Sequence, residues 1–418
     1  LFLAVTPIWA KEANVQYRKS QNWHFAGSVF LTGYEVEERR KLVDAAFEKY
    51  NQIFGFYPKS VGAWWIDGGS LVYMREKYGI VANMDVADQY STDNYQVWGQ
   101  FWSTPFYPAR RNALVPATGD SQKIGVVTIQ WATRDPFNAY GNGVLDSTYS
   151  VQANDYANEK YHKLNIDYFK KLISIYLDNP YSSFGQVTVG LENDFSWEQY
   201  GVEYLKQLDV VSKRQKQGTK VLTMEQFARV YSQLFPETSP AQIIFADDPL
   251  GSGGKVLWFQ NLRYRVGWFY TSKGSIIRDL RLLRESIDEP CLEKSCEQLN
   301  LAMMENRNVD EVTYGDQWII DEGRISEVNI KKLAKGIEIN YLNQANIPRK
   351  IQILENDIYI DNKNLPVSFW IDEALGLSRS KSVIKHGFGN ELKDGLSKTL
   401  ANQSINFSKF LIFAILFF

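Results

Sequence analysis

The stretch GQVTVGLEND, residues 185–194, decides the fold, because it has the pattern of a buried strand that ends in a carboxylate. Val187, Val189 and Leu191 alternate with smaller or polar residues, and Glu192 follows where the apolar run stops. In parallel barrels the chemistry lies at the carboxyl ends of the strands. Glu192 is therefore the first candidate for catalysis, although a carboxylate in this place can also serve only as a helix-cap acceptor.

The residues that follow repeat the order of strand and helix. Ser196 with Gln199 predicts a capping box, apolar residues then recur at helical spacing, and Gly218 stands where a helix ends. A second strand at 220–223 and a second capped helix come next. This order is typical of a parallel sheet or barrel.

The same pattern extends toward the N-terminus, apart from one insertion. Residues 1–7 fit a strand or the remainder of a signal-peptide apolar region, and we prefer the strand. Residues 91–156, rich in Trp, Tyr, Asn and Gly, interrupt the pattern, and an insertion of this length is more often functional than a random loop. The pattern also predicts strands at 23–31, 60–66, 80–86 and 124–131, and helices at 35–54, 70–79 and 159–178.

The pattern changes beyond Pro240. Short strand-like runs, the last at 367–370, are separated by Gly, Asn and Asp turns and predict an antiparallel β-rich accessory domain over residues 243–375. Within it, the charged stretch 276–297 is expected to be partly helical. The predicted division is a barrel domain at 1–236, the β-rich domain, and a linker with an apolar C-terminal segment at 376–418.

Composition limits the classes of partner. A length of 418 residues and a net charge of −2 describe a globular protein of two or three domains with no electrostatic case for nucleic acid. The three histidines lie far apart, which argues against a His-rich metal site, so no metal or other cofactor is expected. Cys291 and Cys296 fit either a small disulfide loop outside the cytosol or two free thiols.

Both ends of the chain are apolar. The run 410–418 is too short to span a bilayer, but it could begin a spanning helix, or it could be an apolar tail without that role. An extracytoplasmic or cell-surface location is expected, with a membrane tether through this segment as one alternative.

Four stretches together resemble the glycoside hydrolase/deacetylase superfamily. They are LFLAVTP (1–7), HFAGSVFLTG (24–33), FGFYPKSVGAWWID (54–67), and VGLEND (189–194) followed by KVLTMEQFA (220–228). The first 235 residues are similar in layout to a polysaccharide deacetylase-like domain. The resemblance implies an α/β fold with an incomplete (β/α)7 barrel, followed here by the antiparallel β-rich domain, and a carbohydrate substrate.

Departures from this family concern its metal site. Its deacetylases hold a divalent metal with two histidines four residues apart, where this chain has Val29 and Gly33. The family's Leu-His pair is replaced by Leu191-Glu192, and its first strand, with paired aspartates, would lie upstream of Leu1. The resemblance therefore favours the glycosidase branch, which works with carboxylates alone, over metal-dependent deacetylation.

Glycoside hydrolysis requires two carboxylates, one an acid with a raised pKa and the other a nucleophile or base. We assign Glu192 as nucleophile or base, with Asp67 or Asp135 as the acid. Asp67 follows two tryptophans, whose apolar wall would raise its pKa. Arg134 beside Asp135 would lower the pKa of that carboxyl and equally suits a salt bridge. Each aspartate could also occupy a turn or cap.

Aromatic residues concentrate near these strand ends and favour a sugar cleft, although each one singly also fits a core. An arginine in this group fits either an anionic sugar or a solvated turn. The candidate substrate-binding residues are Trp65, Asp88, Asp93, Trp98, Tyr107, Arg110, Trp131 and Trp197.

Three functions remain in competition. The leading hypothesis is a carbohydrate-active hydrolase that cleaves glycosidic bonds in a poly- or oligosaccharide. The second is a non-catalytic carbohydrate-binding or cell-envelope protein on a barrel that lost its metal site. The third is a deacetylase with an unusual metal site. Substitution of Glu192 by Gln separates the first from the second, because only an enzyme has turnover to lose.

Overall fold

A computed structural model describes residues 1–20, 25–90, 96–141, 143–192, 196–302, 307–366 and 408–413. Residues Trp23, His24 and Asp93, the predicted strand at 367–370 and most of the predicted linker lie outside these ranges. The helices are α1 Pro7–Glu12, α2 Ala26–Val29, α3 Val36–Phe54, α4 Gly68–Tyr78, α5 Ala153–Tyr156, α6 Ile166–Leu177, α7 Trp197–Lys216, α8 Met224–Leu234 and α9 Glu311–Tyr314.

The strands fall into a first group of short ones, most of which are in parallel pairs, and a second group that is mostly antiparallel. The first group is β1 Ser60–Gly62, β2 Ala82–Val86, β3 Gln96–Trp98, β4 Pro108–Ala109, β5 Asn112–Pro116, β6 Val127–Trp131, β7 Phe184–Val189 and β8 Lys220–Leu222. The second is β9 Gln242–Asp247, β10 Lys255–Gln260, β11 Tyr264–Thr271, β12 Gly274–Leu282, β13 Asn300–Ala302, β14 Arg307–Asp310, β15 Trp318–Glu322, β16 Ser326–Leu333, β17 Gly336–Leu342, β18 Pro348–Leu354, β19 Asp357–Ile360 and β20 Lys363–Pro366, followed by β21 Ser408–Phe413.

One parallel sheet has the order β1-β2-β6, and its strands lie within the predicted strands at 60–66, 80–86 and 124–131. The first residues of the chain extend this sheet, because Leu3 N donates to Gly62 O at 2.7 Å and Gly62 N donates to Leu1 O at 3.0 Å. The predicted strand at 1–7 is thus extended only at its start, since Thr6 accepts from Trp9 N and begins α1 at Pro7.

A second parallel sheet has the order β7-β21-β8, so the C-terminal segment lies between the two strands that the sequence predicts as neighbours. Phe410 and Leu411 are buried there. The expectation that this apolar run begins a spanning helix is therefore wrong for residues 408–413. A short apolar run has the same composition in a buried strand as in a buried helix, so periodicity could not separate the two. Among the described residues, no helix is both long and apolar enough to cross a bilayer.

The predicted strand at 23–31 is also wrong over its described part. Residues 26–29 form α2, and a 3₁₀ turn, Leu31–Gly33, follows it. A Cβ at Gly33 would collide with the backbone of Gly27, so the two glycines permit a tight fold of the chain. All residues of α2 and of the 3₁₀ turn are buried, so the apolar residues of this segment do not mark one face of a helix.

Several helices agree closely with the sequence. The helix predicted at 35–54 is α3, and Gly55 ends it with a left-handed φ of 78°. Thr223 and Gln226 form the capping box of α8. The helix predicted to begin at Ser70 begins earlier, because Asp67 is its N-cap and accepts from Ser70 N.

Antiparallel sheets occupy residues 242–366, as predicted. A six-stranded sheet has the order β14-β12-β11-β10-β9 with β15 also paired to β12, and a five-stranded sheet runs from β16 to β20. The stretch 276–297, expected to be partly helical, instead continues β12 and then carries the disulfide Cys291–Cys296.

The antiparallel part shares its core with the α/β part. Trp258 and Phe269 pack in one cluster with Trp131 and Val187, and β13 pairs with β3. The two parallel sheets share no hydrogen-bonded strand in the part of the chain that is described. The fold is therefore mixed α/β with several antiparallel sheets, and the incomplete barrel stays a prediction.

Candidate functional site

The carboxyl ends of β6 and β7 bring two of the predicted residues together. Trp131 is the last residue of β6, and its indole Nε1 donates to Oε1 of Glu192 at 3.3 Å. Glu192 is half-buried and follows the end of β7. Close to this contact, Thr188 N donates to Oγ1 of Thr133 at 3.2 Å. The strand-end prediction for Glu192 and Trp131 thus places them in one polar site.

Arg134 is the buried centre of this site. Its Nη1 donates to Ser147 O, while its Nε has no hydrogen-bond partner among the described residues. Burial lowers the pKa of Arg134. Four carboxylates act in the opposite direction and raise this pKa: Asp155, Asp146, Glu192 and Asp88. The charges of several carboxylates therefore act on one buried guanidinium that follows the end of β6.

Asp146 is a carboxylate of this group whose pKa is raised toward neutral pH. It lies in a 3₁₀ helix, Gly143–Thr148, and only 1% of it is exposed. Ser147 N donates to Oδ1 at 2.6 Å, and Oδ2 has no partner within the described ranges. Burial raises the pKa of Asp146 to about 6, although the Ser147 amide and Arg134 oppose this.

Asp155 has a supporting role in the same cluster. Its Oδ2 accepts from Ser150 Oγ at 2.5 Å and from Gln152 Nε2 at 3.1 Å. Ser150 forms an isolated antiparallel bridge with Arg134, so the segment after Asp146 folds back across the guanidinium. Asp155 is thereby held by donors from its own turn.

Asp67, one of the two predicted acids, caps a helix in another part of the fold. Its carboxylate accepts from Ser70 N at 2.9 Å and from Ser70 Oγ at 2.7 Å, and Arg39 Nη1 is 3.2 Å away. It borders a cleft of about 430 Å³ together with Arg110, and neither Glu192 nor Trp131 lines that cleft. These contacts give Asp67 a structural role, which is the alternative that the sequence left open.

Asp135, the other predicted acid, is completely buried in a turn. It accepts from Phe137 N at 2.9 Å, from Asn138 N at 2.9 Å, from Asn138 Nδ2 at 3.0 Å and from Tyr168 OH at 2.9 Å. Burial raises the pKa of Asp135, although these four donors lower it. Its oxygens are occupied by protein donors, so its placement also favours a structural role.

Most of the predicted substrate-binding residues lie in the core. Trp65, Trp98 and Tyr107 are buried, and Asp88 is buried in an ion pair with Arg265. Tyr107 donates to Phe235 O and packs against the ring of Tyr231, so its side chain contacts the end of α8.

The remaining predicted substrate-binding residues are more exposed. Arg110 forms an exposed ion pair with Glu76 at 3.2 Å. Trp197 begins α7 with 54% of its surface exposed and stands close in sequence to Glu192. Asp93 is outside the described ranges.

Sequence reasoning missed Arg134 and Asp146 as site residues. Asp146 falls inside the insertion that was expected to be functional, but its short 3₁₀ helix has no periodic pattern that could locate it. Across the described ranges, no three or more His, Cys, Asp and Glu side chains are arranged to hold a metal ion.

Comparisons with known proteins agree with the fold. A family model described as a domain of unknown function with a solved structure, DUF3863, matches residues 21–269. One solved structure, a candidate glycoside hydrolase/deacetylase from Parabacteroides distasonis, is 18% identical and aligns with a TM-score of 0.54. That alignment covers 63% of this chain and 65% of the other, so it spans less than two thirds of that protein. No protein with a curated description matches the chain.

Proposed function

The chain belongs to the DUF3863 family, and we propose that it is a carbohydrate-active hydrolase that cleaves glycosidic bonds. The observation that carries this proposal is geometric: Glu192 accepts from Trp131 at the end of β6, and Arg134, three residues further on, donates to the carbonyl of Ser147 next to Asp146. A structural neighbour described as a candidate glycoside hydrolase/deacetylase supports the same class of activity at low identity.

The two carboxylates suit different roles in hydrolysis. Glu192 is partly exposed and accepts a hydrogen bond from the Trp131 indole, which suits an ionised nucleophile or base. Asp146 is buried and has a pKa of about 6, which suits an acid that protonates the leaving oxygen. A carboxylic acid with a raised pKa and a second carboxylate that stays ionised are the usual basis of this chemistry. Asp146 therefore takes the place of Asp67 and Asp135 in the proposal.

Arg134 would maintain this difference without contacting the sugar. Its charge attracts the carboxylate of Glu192, and it also keeps the Asp146 pKa from rising further. The exposed Trp197 would supply an aromatic face at the rim, while Trp131 orients Glu192 from within. The proposed scaffold is the incomplete (β/α)7 barrel, with the site at the carboxyl ends of its strands.

An extracytoplasmic or cell-surface location completes the proposal. The disulfide Cys291–Cys296 supports it, because disulfides persist mainly in oxidising compartments. A polysaccharide of the cell envelope or of the surroundings would be the substrate available there.

The test is to measure the release of reducing ends from a panel of polysaccharides and aryl glycosides. The variants Glu192→Gln and Asp146→Asn should each lower kcat by about 10²–10⁴-fold on natural glycans. Glu198→Gln removes an exposed carboxylate nearby and should retain activity, which makes it the matched control.

Other outcomes would replace the proposal. A wild-type protein that binds glycans but releases no reducing ends is the non-catalytic carbohydrate-binding protein. Release of acetate from acetylated glycans, abolished by a chelator, would support a deacetylase with an unusual metal site. Full activity in both carboxylate variants would remove Glu192 and Asp146 from the mechanism.

A further inference from the structure

A second large cleft lies between the two antiparallel sheets, away from Glu192. It has a volume of about 1030 Å³ and is bordered by the turns at 261–264 and 332–336. Tyr181 and Ser183, which precede β7, form part of its wall, whereas Glu192 follows the other end of that strand. A six-residue strand spans roughly 20 Å, so the cleft and the proposed catalytic site are well separated.

The cleft is held open by contacts between the two sheets. Asn261 Nδ2 donates to Glu355 O at 2.9 Å, and Tyr264 OH donates to Leu354 O. Asn261 Oδ1 also accepts from Arg263 N at 2.8 Å and fixes the turn that carries this arginine. The walls are therefore preformed, which reduces the entropy that a ligand must overcome on binding.

Three cations in this cleft have no side-chain partner among the residues that the structure describes. Arg263, Arg284 and Lys332 line it, and none of them forms a hydrogen bond or ion pair through its side chain with any described residue. The fourth lining cation, Lys335, is paired with Glu355 at 3.0 Å. Desolvation lowers the pKa of Lys332, as expected for an ammonium group without a counter-ion. An anionic group would therefore complete the cleft.

The other lining groups indicate what carries the anion. Asp357 and Glu355 are carboxylates that can accept hydrogen bonds from hydroxyl groups but would repel a continuous phosphate backbone. Ser183 Oγ is buried and has no hydrogen-bond partner among the described residues, so it can pair with a ligand hydroxyl. Tyr181 offers a half-buried ring at the wall.

We propose that this cleft binds an acidic oligosaccharide, with its carboxylate or sulfate groups on Arg263, Arg284 and Lys332 and its hydroxyl groups on Ser183 and the two acidic residues. The site goes beyond the proposed hydrolysis, because binding here requires neither Glu192 nor turnover. It would hold an acidic polymer at a distance from the strand ends.

The test is calorimetric titration of the full chain with oligogalacturonate and with a sulfated oligosaccharide, using a neutral cello-oligosaccharide of equal length for comparison. The double variant Arg284→Gln/Lys332→Gln should weaken binding of the acidic ligand at least tenfold. Lys331→Gln is the matched control, because Lys331 points to the opposite face of β16 beside Glu338 and does not line the cleft. It should change the affinity less than twofold.

Two further measurements test whether binding is electrostatic and whether it is independent of catalysis. Wild-type affinity should fall as salt rises from about 20 to 200 mM, since exposed ion pairs are screened over this range. The same affinity in Glu192→Gln would show that the cleft binds independently of hydrolysis. The proposal is overturned if neither acidic ligand binds the wild type, if the neutral ligand binds equally well, if single-stranded DNA binds more tightly, or if the double variant binds like the control.

Discussion

Nη1 of Arg265 lies 2.6 Å from Oδ2 of Asp88, and both side chains are completely buried. Asp88 follows β2, whereas Arg265 belongs to β11 of the six-stranded sheet, where its Nε is also 3.0 Å from Asp279 Oδ1. This ion pair therefore joins the end of a parallel strand to the antiparallel part of the chain. The segment that carries Asp88 therefore depends on a strand 177 residues away in sequence.

Replacement of Arg265 by Met should strongly destabilise the fold. The change leaves the carboxylate of Asp88 buried without its cation and leaves Asp279 with Arg281 as its remaining partner. Losing one partner of a buried pair costs about 3–5 kcal/mol. Urea unfolding measures this loss. Arg229→Met, which breaks only the partly exposed pair with Glu225, should change the free energy of unfolding by less than about 1 kcal/mol. A similar small effect at Arg265 would contradict the role given to this contact.

Leu411→Ala tests whether the C-terminal segment is part of the second parallel sheet. Leu411 is completely buried between β7 and β8, so truncating it should lower the free energy of unfolding by about 2–5 kcal/mol. Lys409→Ala, which removes a partly exposed ion pair with Asp178, should cost much less. Equal and negligible effects in the two variants would show that the segment is not packed there.

The stability of the protein should fall as pH rises toward 8 because of Glu289. This side chain is buried, and it accepts from Gly68 N at 2.6 Å and Ala113 N at 2.8 Å. Burial, with the neighbouring Asp67, raises the pKa of Glu289 from 4.5 to about 8. The folded state therefore holds the proton of Glu289 more tightly than the unfolded state does. The stability that this protonated carboxyl contributes is complete below pH 4.5 and is lost as pH rises through about 8.

The measurement is the free energy of unfolding between pH 6 and 8.5. Glu289→Gln, which resembles the protonated form, should show a smaller decline than the wild type over this range. Glu293→Gln changes an exposed glutamate in the same segment and should decline like the wild type. A wild-type protein equally stable at both ends of the range would contradict the raised pKa.

The activity should depend on the protonation of Asp146. If Asp146 is the acid, kcat/KM falls as pH rises above about 6, because the carboxyl loses the proton that it must donate. Asp146→Asn should be much slower, and its residual rate should lack this alkaline decline. An unchanged pH profile in the variant would exclude Asp146 as the acid, even if its rate were low.

Trp131→Phe tests how Glu192 is oriented. The substitution keeps a ring in the core but removes the N–H that donates to Glu192, a bond to a charged group worth about 1.5–3 kcal/mol. We expect kcat/KM to fall about tenfold or more with little change in KM. Trp197→Phe, at the exposed rim, should instead affect mainly KM. Equal kcat values in wild type and Trp131→Phe would remove the indole from the site.

Much of the fold follows from sequence because local patterns and packing agree. Alternating apolar residues identified β7, and capping residues identified the starts of α7 and α8. The pairing of β21 between β7 and β8 could not be predicted, because it joins segments about 190–220 residues apart and the apolar run carries no sign of its partner. Strand order is a property of the whole chain.

The candidate site was predictable only in part. Glu192 and Trp131 stand directly at strand ends, where position in the pattern has functional meaning. Asp67 stands at a similar place, but its two carboxylate oxygens accept hydrogen bonds from Ser70 and cap α4. Asp146 enters the site because its segment folds back over Arg134, and this long-range contact leaves no trace in the local sequence.

The hydrolytic role of Glu192 is tested most directly by the rate at which wild type, Glu192→Gln and Glu198→Gln release reducing ends from the best substrate of a glycan panel. We predict measurable turnover in wild type and in Glu198→Gln, a loss of at least about 100-fold in Glu192→Gln, and glycan affinity and thermal stability within twofold and a few degrees of wild type in all three. Turnover in Glu192→Gln equal to that of the wild type, or no turnover in any of the three despite glycan binding, would contradict the proposed function.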